Sequence, residues 1–259
     1  VAIQAAIDAT PRGGTVYLPP GVYRTSAQLV LPPRTTLRGS HAPHWPQYAN
    51  DNPGVSSCIR ALSGYAGTAL VRILDKAGGG WAEDYMSAAR IVNLTLDGGN
   101  FGSGVAGIYA TGQCVDIGLT DVCINNMSGR GLRTDTLSTL QPKGWQLTRV
   151  AVQSCAGASF YHANTGGADF AVTDMSYDNC WSGASEDNGW HFDSALSVDL
   201  LGCRSEFNAG YGYYLAGNSR ARFVDCDTDR NTKSGFYLEC QGTGSRSILL
   251  SGCLANRDG

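Results

Sequence analysis

Charge is scarce in this chain. Asp, Glu, Lys and Arg make up 16% of its 259 residues, and the formal net charge is −3. No basic run could track a phosphate backbone, so no nucleic-acid partner is expected. No apolar run approaches the roughly 18 residues of a membrane span, which argues against membrane insertion. The chain holds nine cysteines, yet no CxxC or paired-histidine pattern offers a metal site. A GxSxG elbow and a GxGxxG turn between strand and helix are also missing. Gly78-Gly79-Gly80 is followed by neither Lys-Ser/Thr nor a helix. Serine-hydrolase and nucleotide-binding classes therefore drop out.

What the chain does have is glycine, 34 residues of it, and a repeat. From Asp174 to Gly242 one 23-residue unit is written three times without a gap. In that frame Cys180, Cys203 and Cys226 share a column. Nine residues after each comes a glycine (Gly189, Gly212, Gly235) that opens an apolar, variable, apolar triplet. Extended outward, the frame gives the column Gly99, Met127, Cys155, Cys180, Cys203, Cys226, Cys253, spaced 28, 28, 25, 23, 23 and 27. An alternating apolar pair precedes each column residue, Val150/Val152 and Met175/Tyr177 among them. Such short, strict alternation predicts strands.

Units this short, with turns rich in Gly, Asn, Asp and Ser, predict stacked coils of about three strands each. The expected fold class is all-β, a single-stranded right-handed parallel β-helix, its hand set by the crossover rule for parallel strands. Leucine-rich repeats have similar length but need a helical or extended return after a Leu-rich strand, and these units contain no 3.6-residue period. Ala2–Ala9 predicts a short amphipathic helix with Ile3 and Ile7 on one face, placed to cap the open end of the core. The run AIQAAIDA, GGTVYLPPGVY and LVLPPRTTLRG over residues 2–39 resembles the opening of the pectate-lyase-like superfamily of right-handed parallel β-helix proteins. With the coils behind it, the resemblance covers nearly the whole chain. It implies that fold and a polysaccharide partner, but no single reaction, since the superfamily spans polysaccharide lyases, glycoside hydrolases, epimerases and phage tailspikes. Its calcium-dependent lyases use clustered Asp residues with an Arg. No such cluster is matched here, so no metal and no other cofactor is expected.

The sequence predicts one domain over residues 1–259: a cap and first coil to residue 40, a loop-rich stretch over 41–90, and seven regular coils over 91–259. The loop-rich stretch carries His41, His44, Trp45, Tyr48, Trp81 and Tyr85. A chain that opens on Val1 and stops in mid-coil at Gly259 is expected to be part of a longer one. The stacked cysteines are expected to be buried free thiols packing as small apolar groups, in a protein folded with reduced cysteines. The expected setting is extracellular or virion-associated, with a homotrimer as the possible assembly.

Candidate site residues follow from strand alternation, which turns the variable residue of each triplet outward. Those residues are Tyr109, Arg133, Tyr161, His191, Tyr214 and Tyr237, and the next outward positions are Thr111, Asp135, Ala163, Asp193, Ala216 and Glu239. Aromatic rings beside carboxylates suit sugar recognition. For hydrolysis, Asp135 with Asp193, or Asp193 with Glu239, lie two coils apart, about 9–10 Å, at the upper edge of the inverting range. Glu186 and Asp187, just before His191, form a second carboxylate pair. For β-elimination Arg133 could neutralise a sugar carboxylate while His191 or Tyr161 takes the proton. His162 faces inward and is expected to be a hydrogen-bonded core residue. Two functions stay open: a polysaccharide hydrolase or lyase, and a non-catalytic glycan-binding stem of a tailspike or minor tail protein.

Overall fold

The computed structural model describes residues 2–42, 55–74, 87–137, 140–166, 169–217, 219–239 and 247–259. His44, Trp45, Tyr48, Gly78-Gly79-Gly80, Trp81, Tyr85 and Cys240 lie outside them. The chain is a right-handed parallel β-helix whose described strands trace nine coils, beginning at Thr15, Thr36, Arg90, Gly118, Gln146, Val172, Ala195, Arg220 and Ile248. Within 41–90, Ser57–Ala61 and Ala69–Ile73 form regular strands of the second coil.

Each coil supplies one bent strand or two short ones to one large sheet, and each of the first eight supplies a short strand to a second, eight-stranded sheet. The bends are single residues in the left-handed region, five positions apart. They are Asp116, Asp121 and Asn126 in the fourth coil, Gly144, Arg149 and Ser154 in the fifth, and Asp174, Asn179 and Ala184 in the sixth, all with φ between 50° and 68°. Asn and Asp tolerate this conformation better than other side chains do, and they recur here for that reason.

The five-residue rhythm corrects the cysteine column. The fifth and sixth coils pair with an offset of 30, Leu147 beside Tyr177 and Val152 beside Ser182, not 25. Cys155 therefore stacks on Met127 and under Ser185, while Cys180, Cys203, Cys226 and Cys253 form a separate column above Val150. The physical reason is that a slip by one bend spacing superimposes one inward triplet on the next, so alternation alone cannot tell 25 from 30. Cys180, Cys203 and Cys226 are buried, each thiol donating to a carbonyl of the coil below: Leu147 (3.5 Å), Tyr177 (3.5 Å) and Leu200 (3.4 Å). No disulfide joins the eight described cysteines.

The helix Ala2–Ala9 buries Ile7, packs Ile3 against the core, and closes the first coil. Gln4 does more than cover. Its amide accepts from the Val30 N–H (2.7 Å) and donates to the Val30 carbonyl (3.1 Å), acting as a substitute strand on the edge of the second sheet. That pairing blunts an edge otherwise open to another chain.

Inside the later coils the apolar positions of the second sheet carry a ring stack. Phe160 and Trp190 lie 3.8 Å apart and nearly parallel, Trp190 and Tyr213 5.6 Å, Tyr213 and Phe236 5.0 Å. His162 sits in the next inward column, wholly buried, bonded to the Thr134 hydroxyl (2.8 Å) and the Tyr177 hydroxyl (2.7 Å) and stacked on Phe192. Burial, helped by the charge His191 carries when protonated, lowers its pKa from 6.5 to about 3. The native imidazole is then neutral while the unfolded one protonates below 6.5, so its contribution is complete above that value and is lost as pH falls toward 3. A depression to about 3 is worth at most ~5 kcal/mol, of which roughly half is gone at pH 4.5. We expect His162→Phe to be less stable than wild type at pH 7 and the gap in urea midpoint to shrink at pH 4.5. A gap independent of pH would show that His162 does not titrate on unfolding.

Candidate functional site

The parallel register of the second sheet places Arg72, Tyr109, Arg133, Tyr161, His191, Tyr214 and Tyr237 in one outward column. Two further columns flank it. On the N-terminal side the backbone bonds align Arg130, Ala158, Asn188, Tyr211 and Ser234. On the other side stand Thr111, Asp135 and Ala163, followed by Asp193, Ala216 and Glu239 in the same strand phase. Each coil thus presents a row of three. The fourth coil offers Arg130, Arg133 and Asp135; the fifth Ala158, Tyr161 and Ala163; the sixth Asn188, His191 and Asp193. Tyr161, with only alanines beside it, lies between two polar rows.

The Arg130 guanidinium fills part of that space, 3.7 Å over the Tyr161 ring. It has no carboxylate partner among the described residues, and its Nε is buried without a hydrogen bond. Arg133 differs. Its Nη2 donates to Asp135 Oδ2 at 2.6 Å, and its guanidinium lies 4.8 Å from the centre of the Tyr109 ring. Asp135 was expected to project outward as a catalytic carboxylate, but it is 5% exposed, and the same Oδ2 also accepts from the Tyr109 hydroxyl (3.0 Å). The cation that neighbours it spends that oxygen as a counter-ion, so Asp135 and Arg133 serve each other.

In the sixth coil Asp193 is part-exposed and accepts on both oxygens. His191 Nε2 donates to Oδ1 (2.8 Å) and the Asn164 N–H to Oδ2 (3.2 Å). Burial works to raise the Asp193 pKa, and the His191 bond, the charge His191 carries when protonated, the Asn164 N–H and the Arg130 charge outweigh it, so the net shift is downward. Tyr161 moves the other way: burial raises its pKa, with Arg130 opposing and Asp193 and Asp135 adding. Two neighbouring groups whose environments push their pKa values apart are suited to opposite protonic roles.

The aromatic column is less open than the sequence suggests. Tyr161 stands between Arg130 and His191 (ring centres 4.8 Å), and Tyr214 between His191 (4.7 Å) and Tyr237 (5.1 Å, nearly parallel). Stacked along the helix axis, the rings turn their faces to one another and leave edges and hydroxyls for a ligand. Glu239 accepts from the Tyr237 hydroxyl at 3.5 Å. Glu186 is exposed and Asp187 half-buried on the turn before Trp190, and neither side chain bonds to the row. The intervening contact belongs to Asn188, which sequence reasoning passed over. Arg130, Tyr211 and Lys233, the last 4.9 Å over the Tyr211 ring, were missed too. The signal available for Arg130, Asn188 and Tyr211 was their position just before Gly131, Gly189 and Gly212. A separate groove of 840 Å³ on the first sheet is lined by Ser197, Asp199, Arg220, Arg222 and Leu249. Its carboxylate, Asp199, is taken by Arg222 through two bonds of 2.7 and 2.6 Å.

A parallel β-helix with a cation- and tyrosine-lined outward face defines a broad class, and the comparisons narrow it. The family described as "Rhamnogalacturonase A/epimerase, pectate lyase-like" matches residues 1–206, and the chain belongs to it. Among solved structures it is similar to the A-module of mannuronan C-5 epimerase AlgE4 from Azotobacter vinelandii, with 17% identity and a TM-score of 0.65 over 99% of this chain and 70% of that one. The AlgE6 A-module from the same organism matches at 16% identity and a TM-score of 0.54, over 98% of this chain and 94% of that one. At such identities the likeness is one of fold. No curated protein sequence matches. No described helix is long and apolar enough to cross a membrane.

Proposed function

We propose that the protein binds an acidic polysaccharide along the outward face of the second sheet and cleaves it by β-elimination. The observation that carries this is the arrangement around Tyr161, a phenol that keeps its proton: on one side lies the Arg130 guanidinium, without a carboxylate partner among the described residues, and on the other the row that holds Asp193, a carboxylate that keeps its charge. A uronate carboxylate set on Arg130 would have its charge neutralised, which acidifies the proton on the adjacent ring carbon. Asp193 takes that proton, and the electron pair forms the new carbon–carbon double bond as the glycosidic C–O bond breaks. Tyr161 gives its proton to the departing oxygen. Inverting hydrolysis asks instead for one protonated carboxyl facing an ionised one. Asp135, engaged by Arg133 and Tyr109, is badly placed to be the first. The family's description supports a polysaccharide of the uronate kind. An extracellular or virion-associated setting suits such a substrate.

A panel of acidic and neutral polysaccharides, assayed for ultraviolet-absorbing unsaturated products and for new reducing ends, tests this. Both signals together are expected from an acidic member. Reducing ends alone would replace elimination by hydrolysis. Retained binding with neither signal would leave a glycan-binding stem, consistent with rings that face one another, and sedimentation would then ask whether it is a homotrimer. On the active substrate Arg130→Ala is expected to lower kcat/KM roughly 10- to 100-fold, the size of a lost charged hydrogen bond.

A further inference from the structure

The sixth coil holds one more side chain that bears on the site without touching a ligand position. Asn188 is 6% exposed, on the turn before the Trp190–Phe192 strand. Its Oδ1 accepts from the Tyr211 N–H of the next coil at 2.8 Å. A backbone amide can only donate, so this bond fixes which end of the Asn188 amide is oxygen. Its Nδ2 then must donate to His191 Nδ1, 3.0 Å away. An Nδ1 that accepts carries no proton, so the imidazole proton sits on Nε2, where it meets Asp193 Oδ1 at 2.8 Å. Every orientation in the relay is set by one peptide group. Gly210 keeps the relay closed, because a Cβ there would collide with Asn188 Oδ1.

We propose that Asn188 is a positioning residue that locks His191 as the neutral Nε2–H tautomer, so that His191 orients Asp193 and does not itself take the substrate proton. Both imidazole nitrogens are occupied, which removes His191 as the base and leaves that task to Asp193. The catalytic meaning of the lock rests on the elimination reading above; the tautomer does not. In families of enzymes with a carboxylate and histidine in contact, the wrong tautomer is costly although the geometry is intact.

The test is nitrogen NMR on the 259-residue chain labelled at histidine. The chain has four histidines, so His191 can be assigned from the signal lost in His191→Gln. At neutral pH the wild-type resonances should show a protonated Nε2 and a bare Nδ1. Asn188→Leu should mix the two tautomers and lower kcat about 10-fold or more with KM little changed, the scale seen for outer hydrogen-bond partners. Asn188→Asp presents an acceptor to Nδ1 and should hold a proton there, on the nitrogen that is bare in wild type. If Asn188→Leu does not fold, wild type and Asn188→Asp still decide. A wild-type His191 protonated on Nδ1, or a tautomer unchanged in both variants, overturns the proposal. The expected tautomer in a protein that cleaves no polysaccharide would sink the elimination reading alone.

Discussion

Asp193→Asn is expected to lower turnover by about 100-fold or more while leaving polysaccharide binding nearly intact. Asn has almost the same shape, and its single amide oxygen can still accept from one of the two donors, His191 or the Asn164 N–H, that now hold the separate Asp193 oxygens at 2.8 and 3.2 Å. It cannot take a proton, and general base catalysis contributes on the order of 10²–10⁴ in rate. The loss should therefore appear in kcat, with little change in KM if binding is at equilibrium. The Asp193 carboxylate also sets a pH limb. Because the carboxylate pKa is displaced downward, wild-type activity should persist through mildly acidic pH and fall only below the ordinary carboxylate range. Undiminished activity in Asp193→Asn would remove the base from this row.

The largest stability effect is expected at Trp190. Its ring is fully buried, stacked 3.8 Å from Phe160 and 5.6 Å from Tyr213, with Tyr177 edge-on at 5.1 Å. Trp190→Ala removes the middle ring from a stack that spans successive coils, and parallel coils held by backbone ladders cannot move together to fill the gap. A cost of about 3–5 kcal/mol follows from large-to-small substitution in a packed core. Chemical denaturation measures it. Since Trp190 immediately precedes His191, the relay row should loosen as well. A cost under ~1 kcal/mol would mean that the interior stack is slack. Trp190→Phe, which also discards an indole N–H with no partner, should be much milder than Trp190→Ala.

Much of this molecule is legible from its sequence because a β-helix is nearly one-dimensional: each coil meets only its neighbours, and strand alternation sorts inside from outside. The repeat from Asp174 to Gly242 defined the fold, and the triplets, led by glycine everywhere but at Ser159, placed Tyr109, Arg133, Tyr161, His191, Tyr214 and Tyr237 in the column they occupy. His162 was assigned to the core on the same ground. The cap helix was legible in Ile3 and Ile7, though not the role of Gln4 at the strand edge.

What only the tertiary structure decided lies where alternation is blind. The offset of 30 between the fifth and sixth coils could not be told from 25, because bends five residues apart repeat the same inward pattern. That separated Cys155 from the other cysteines of its supposed column. Ring faces and charge partners were equally hidden: the sequence put Asp135 and Asp193 in one outward column, yet Arg133 and Tyr109 bury the first while His191 and Asn164 keep the second part-exposed. Arg130 and Asn188 sit on turns, outside the periodic strands, and reach the site by the path of the chain between coils. Periodicity determines which side of a strand a residue faces; which partner it meets there depends on turns whose geometry carries no period.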